Sequence, residues 1–213
     1  MKVLILKNKN EIAKKVSEII LDIVRKKPNC VLGLASGKTM VPIYKELVKK
    51  YKKSGIDFSN VKTFNLDEYA IKENDRRSLH YFMNKYLFSK ININKKNINF
   101  PNSKFKKYEE EIKKSPIDLQ ILGIGNNGHI GFNEPGSSFK SVTRKVKLSE
   151  STKKVNNVFF DYAYTAGIKT IMNSKKIILV AFGKDKAEII KKALKEKITE
   201  KIPASILRKH RNA

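Results

Sequence analysis

The sequence has no tryptophan and a single cysteine, Cys30. One thiol excludes a disulfide within the chain and fits a reducing compartment, the cytoplasm. Cys30 stands just before an apolar run, where a buried structural thiol is expected rather than a nucleophile. No apolar stretch reaches the roughly 18 residues that a membrane-spanning helix needs, so no membrane partner is expected. The opening "MKVLILKNKN" has a short apolar stretch and no cleavage-site pattern, and does not read as a signal peptide. HExxH, CxxC and dense carboxylate clusters are absent, so no metal ligands are assigned. The nucleophile elbow GxSxG is absent too. Acidic residues are scarce: 20 against 46 lysines and arginines, a formal charge of +26. The lysines are spread over segments such as "KKVSEII", "VKKYKKSG" and "IIKKALKEK", on the polar faces of helical patterns, and no nucleic-acid recognition element accompanies them. The charge points to small anions rather than to nucleic acid.

What is present is a hydrophobic content of 40% over 213 residues, enough for one domain with a real core. Apolar runs alternate in type. "KVLIL" (2–6), "CVLGLA" (30–35), "VKTFNL" (61–66), "DLQILGIG" (118–125) and "KIILVAFG" (176–183) read as strands. "EIAKKVSEIILDIV" (11–24), "VPIYKELVKKY" (41–51), "SLHYFMNKYLF" (78–88, with Ser78 as cap), "YEEEIKK" (108–114) and "KAEIIKKALK" (186–195) read as helices. The stretch 89–105 reads as a surface loop with one short strand at Ile98–Phe100. This βαβα alternation predicts an α/β fold, a mainly parallel sheet with helices on both faces. Ligands of such sheets bind beyond the carboxyl ends of the strands. Three strand ends carry suggestive loops: Ala35–Thr39, Asn65–Tyr69 and Gly123–Glu134.

"GLASGKTM" (33–40) joins a strand to a helix with small residues that let backbone N–H groups approach an anion. Its spacing is not that of a nucleotide P-loop, since Gly33 is one residue too close to the Gly37–Lys38 pair. Ser36, Gly37, Lys38 and Thr39 are therefore expected to cradle a sugar phosphate. In "FNLDEY" (64–69), Asp67 and Glu68 follow an apolar strand and should point in different directions, so one of them is expected to face a ligand as general base. "LGIGNNGHIGFNEPGSSF" (122–139) sets His129 among glycines, with Glu134 five residues on to orient the imidazole. The expected chemistry is acid–base work on a small phosphorylated molecule. His80 and His210 receive no role.

Together "LGLASGKT", "FNLDEY", "SLHYFM", "LGIGNNGHIGFNEPGSSF", "TAGIKTIMNSKKIILVAFGKDKA" and "IPASIL" resemble the glucosamine-6-phosphate deaminase family, in the same order from about Val31 to Leu207. The resemblance implies a Rossmann-like single domain over 1–213. It also implies conversion of glucosamine 6-phosphate and water to fructose 6-phosphate and ammonium, with no cofactor. It implies that His129, supported by Asn127 and Glu134, assists ring opening, and that Asp67 shuttles the C2 proton. Lys186 matches the family's phosphate-binding lysine, and Ser36–Thr39 its phosphate loop. The sequence departs from the pattern in several places. Val158 stands where a phosphate-binding arginine is usual, and Val158→Arg is expected to tighten substrate binding. Lys38 replaces a glycine, Leu79 a tyrosine, and the segment between Phe160 and Tyr164 is short. The family's additional C-terminal strand is expected to be lacking after "IPASILRKH". Arg144 is retained from an effector region that otherwise matches poorly, so no allostery is carried over. A 6-phosphogluconolactonase-like enzyme or a non-catalytic sugar-phosphate binder are the alternatives, and a homo-oligomer stays open.

Overall fold

A computed structural model describes residues 1–213. The helices are α1 (Lys9–Lys26), α2 (Met40–Ser54), α3 (Leu79–Tyr86), α4 (Phe105–Lys114), α5 (Glu150–Asn156), α6 (Ile168–Met172) and α7 (Ala187–Lys195). The strands are β1 (Val31–Leu34), β2 (Lys62–Asn65), β3 (Asp67–Tyr69), β4 (Ile98–Asn99), β5 (Leu119–Gly123), β6 (Arg144–Lys147), β7 (Tyr162–Thr165) and β8 (Ile177–Val180). Side-chain caps begin three of the helices: Asn8 accepts from Asn10 and Glu11 N–H at α1, Ser78 from Tyr81 N–H at α3, and Ser149 from Thr152 N–H at α5.

Five strands form a parallel sheet in the order β4-β2-β1-β5-β8. Alternation along β1 sends Leu32 and Leu34 to one face, where Ile20 of α1 and Tyr44 and Leu47 of α2 are buried with them. Val31 faces the other way and packs with Phe64 against Tyr108 and Ile112 of α4. Each of these fully buried aliphatic side chains contributes on the order of 1.5–3 kcal/mol. Helices thus cover both faces, as the alternating pattern predicted.

Two features differ from the sequence reading. Residues 2–6 form no strand, and Val3, Leu4 and Ile5 are 56%, 56% and 93% exposed. Strand structure needs a ladder partner. Here only Lys2 N–H is paired, to the carbonyl of Ala213, while the outer strand β8 receives Asn212, whose carbonyl accepts from Ile177 N–H. The second difference is an added antiparallel sheet, β3-β7-β6, which packs Tyr69, Phe132, Leu148, Val158 and Ala163 into a small separate core. Cys30 is fully buried, and burial, with the nearby Asp118 carboxylate second, pushes its thiol up to about 12, which makes it inert.

Candidate active site

The order β2-β1-β5 brings the carboxyl ends of three neighbouring parallel strands together. The loops leaving them carry Ser36–Thr39, Asp67 and the segment from Gly123 to Glu134. The fold therefore gathers these expected site loops at the carboxyl end of the sheet. The elements that follow tie them to one another. Ser36 Oγ lies 3.4 Å from Asp67 Oδ1. Asp67 is paired with Thr165 in the small sheet, and Thr165 Oγ1 accepts from Phe132 N–H at 3.1 Å. Lys186, just before α7, donates to Asn126 Oδ1.

Asp67 and Glu68 point to opposite sides of β3, as expected of adjacent strand residues. Glu68 is fully engaged: its carboxylate accepts from the N–H groups of Tyr69, Leu79 and His80, and so caps α3. A cavity of about 630 Å³ opens on its side, lined by Glu68, His80, Asn84, Phe100 and Tyr164, and includes neither Asp67 nor His129. Asp67 is the free carboxylate of the pair. Burial, reinforced by the neighbouring Glu68 charge and partly offset by Ser36, raises it to about 7. A carboxylate poised there exchanges protons near neutrality.

The histidine loop is built around one contact network. Gly125 must be glycine: a Cβ there would lie 2.2 Å from His129 Cε1. Gly128 has φ +87°, and a Cβ would meet Ile202 at 2.8 Å. Asn127 bridges the loop, with Oδ1 accepting from His129 N–H at 3.2 Å and Nδ2 donating to Glu134 Oε2 at 2.7 Å. His129 Nδ1 lies 3.6 Å from the same Oε2, just beyond hydrogen-bond reach, and has no other partner. Burial is the largest influence on Glu134 and acts upward. The groups around it, nearby His129 first and then the donors Thr152 and Asn127, together outweigh burial and hold the carboxyl at about 2. Glu134 is therefore ionised throughout the working range.

Two residues that the sequence did not single out complete this network. Ser149, the N-cap of α5, donates to Glu134 Oε1 at 3.1 Å, and Thr152 of α5 donates to the same oxygen. Only a short serine- and threonine-rich segment hinted at a helix start there, and nothing in it named Glu134 as target. Lys38 and Gly37 are exposed at the loop before α2, with Gly37 at φ +100°. Arg144 braces the histidine loop from β6, donating to Asn133 Oδ1 at 2.8 Å and to Ser137 Oγ at 3.3 Å. Val158 does not join the site. Asn157, at φ 53°, turns the chain after α5 so that Val158 enters the small core.

A family model described as glucosamine-6-phosphate isomerases/6-phosphogluconolactonase matches residues 7–213. The chain belongs to this family. Among its relatives, glucosamine-6-phosphate deaminase of Thermoanaerobacter sp. (strain X514) is 48% identical over 99% of this chain and 89% of the relative. The glucosamine-6-phosphate deaminase of Mycoplasma mycoides subsp. mycoides SC is also 48% identical, over 99% of this chain and 91% of its own. A solved structure of a monomeric glucosamine-6-phosphate deaminase superposes with a TM-score of 0.95 at 38% identity, covering 100% of this chain and 95% of that one. The 6-phosphogluconolactonase of Leishmania guyanensis shares the isomerase/lactonase family fold with a TM-score of 0.81, at 20% identity over 100% of this chain and 93% of its own.

Proposed function

We propose that the chain is a glucosamine-6-phosphate deaminase, converting glucosamine 6-phosphate and water to fructose 6-phosphate and ammonium. The single observation that carries this reading is the pairing of a half-buried histidine–glutamate network with a buried aspartate raised to about 7, on the carboxyl ends of the two strands that flank β1. The near-full-length likeness to two deaminases supports it.

The reaction needs two separate acid–base tasks, because the C2 proton becomes acidic only after the sugar ring opens. His129 moves the proton that passes from the anomeric hydroxyl to the ring oxygen, while Glu134 and Asn127 hold its ring and backbone. Opening gives an aldehyde at C1. Ionised Asp67 then takes the proton from C2 and returns it at C1, while one amine proton passes to O1, leaving a C1 hydroxyl and an imine at C2. Water adds to that imine, and ammonium leaves as the ketone forms. The phosphate sits at the Ser36–Thr39 loop. There the first N–H groups of α2 have no side-chain cap, and Lys38 and Lys186 supply positive charge. Lys186 is partly desolvated, which lowers its pKa. The lone buried cysteine fits work in the cytoplasm, and no helix is long and apolar enough to cross a membrane.

The test is incubation of the protein with glucosamine 6-phosphate, with ammonium and fructose 6-phosphate assayed together. Equal amounts of both are expected, and fructose 6-phosphate without ammonium would sink the reading. Asp67→Asn should bind substrate with little loss and lose turnover by several orders of magnitude. In the wild type, kcat/KM should fall as pH drops through about 7, where Asp67 takes up its proton.

A further inference from the structure

The α5 helix is seven residues long, too short to be stable by itself, yet it places two hydroxyls on one oxygen of a site carboxylate. Glu134 uses its two oxygens differently. Oε1 takes Ser149 Oγ and Thr152 Oγ1, both from α5, while Oε2 takes Asn127 Nδ2 and faces His129. Ser149 does double duty, because its Oγ also accepts from Thr152 N–H as the helix cap. Cap and carboxylate anchor are therefore one hydrogen-bonded unit that ties the start of α5 to Glu134. We propose that Ser149 and Thr152 are positioning residues of the proposed deaminase, which clamp Glu134 so that only Oε2 is presented to His129. The inference takes its catalytic meaning from the proposed function, although the clamp can be tested without it.

The clamp also governs how strongly Glu134 acts on the imidazole. A carboxylate shared among several donors presents less negative potential to its remaining neighbour. Glu134 can then orient the His129 ring through Oε2 alone, which keeps the other ring nitrogen free for the substrate. Other charged groups stand on this loop at a distance from the clamp: Lys186 on Asn126 and Arg144 on Asn133. Asp67 faces Ser36. None of them contacts Oε1, so removing one α5 hydroxyl changes the Glu134 pair alone.

The experiment is a histidine-proton NMR titration of the full chain, comparing wild type with Thr152→Val and Thr152→Ser. The His129 signal is identified by its loss in His129→Gln. Thr152→Val keeps the side-chain shape and removes the donor. It should raise the His129 midpoint by about 0.5–1 unit, and Thr152→Ser should restore it. Rates of ammonium release should show kcat down about tenfold in Thr152→Val near neutral pH, with KM unchanged within about twofold. A His129 midpoint that stays put or falls in a folded Thr152→Val protein overturns the inference. If Thr152→Val does not fold, Ser149→Gly keeps a permissible cap residue and removes one donor to the same oxygen. The same upward shift is then expected, and its absence overturns the clamp. Absence of ammonium release from the wild type would refute the proposed function, while the titration would still decide the clamp.

Discussion

At the scale of single residues, the site pairs two carboxylates that burial and neighbours have driven apart: Asp67 is raised to about 7 and Glu134 lowered to about 2. In the proposed reaction the first accepts and returns protons, and the second stays charged. This division has a cost in stability that can be measured. Asp67 in the unfolded chain titrates near 3.8 and in the folded chain near 7, so the folded state binds more protons between those values. Stability contributed by this group must then decline as pH rises from about 4 to about 7, and the penalty persists above that. Asp67→Asn removes the penalty. The variant should gain on the order of 2 kcal/mol over wild type at pH 8 and little at pH 4. Denaturant titrations at the two pH values check this, and an equal effect at both would show that Asp67 is not protonated by its surroundings. Glu134 works in the opposite sense, contributing stability above about 4.5 that is lost as pH falls toward about 2.

At the scale of elements, what was legible depended on whether an element is held by local pattern or by distant partners. Helical periodicity marked α1, α2 and α7, and the buried runs marked β1, β2, β5 and β8, because those signals are local. The small sheet escaped notice: β6 reads "RKVK", β7 reads "YAYT", and neither is long enough to show a period. Residues 2–6 failed in the other direction, since "KVLIL" has every local mark of a strand and no ladder partner beyond Lys2. The candidate site divided in the same way. Asp67, His129 and Glu134 lie in distinctive short motifs, whereas Ser149 and Thr152 matter only because α5 folds back onto Glu134. Val158 shows the practical consequence. An arginine there, judged from sequence, would reach the phosphate. In the fold, it would be forced among Tyr69, Phe132, Leu148 and Ala163. Val158→Arg is therefore expected to destabilise the protein by about 3 kcal/mol or more, with no gain in substrate affinity. Thermal melting and KM measured on the same sample check both parts, and a lower KM at unchanged melting temperature would restore the sequence-based expectation.

At the scale of the whole molecule, the question is what a formal charge of +26 does in an enzyme proposed to act on a small anion. The lysines serve few specific pairs. Asp118 holds Lys27 and Lys175, Asp161 and Glu150 hold Lys153, and Glu18, Glu111 and Glu188 hold Lys50, Lys114 and Lys192. With 46 basic and 20 acidic residues, most positive charge has no acidic partner and sums into a field that reaches beyond the surface. Such a field draws a phosphorylated sugar toward the molecule before any contact forms, and the exposed Lys38 lies at the mouth of the proposed phosphate loop. The Debye length shrinks from about 20 Å near 0.02 M salt to about 6 Å near 0.3 M, which removes long-range attraction but spares contacts inside the site. Raising salt should therefore lower kcat/KM for glucosamine 6-phosphate several-fold through KM, with kcat nearly constant. Lys38→Ala should raise KM and flatten part of the salt dependence, because it removes both a contact and one charge of the field. A kcat/KM indifferent to salt, in wild type and variant alike, would mean that the surplus charge is spread too evenly to guide the substrate, and that the phosphate is recognised only by the groups that touch it.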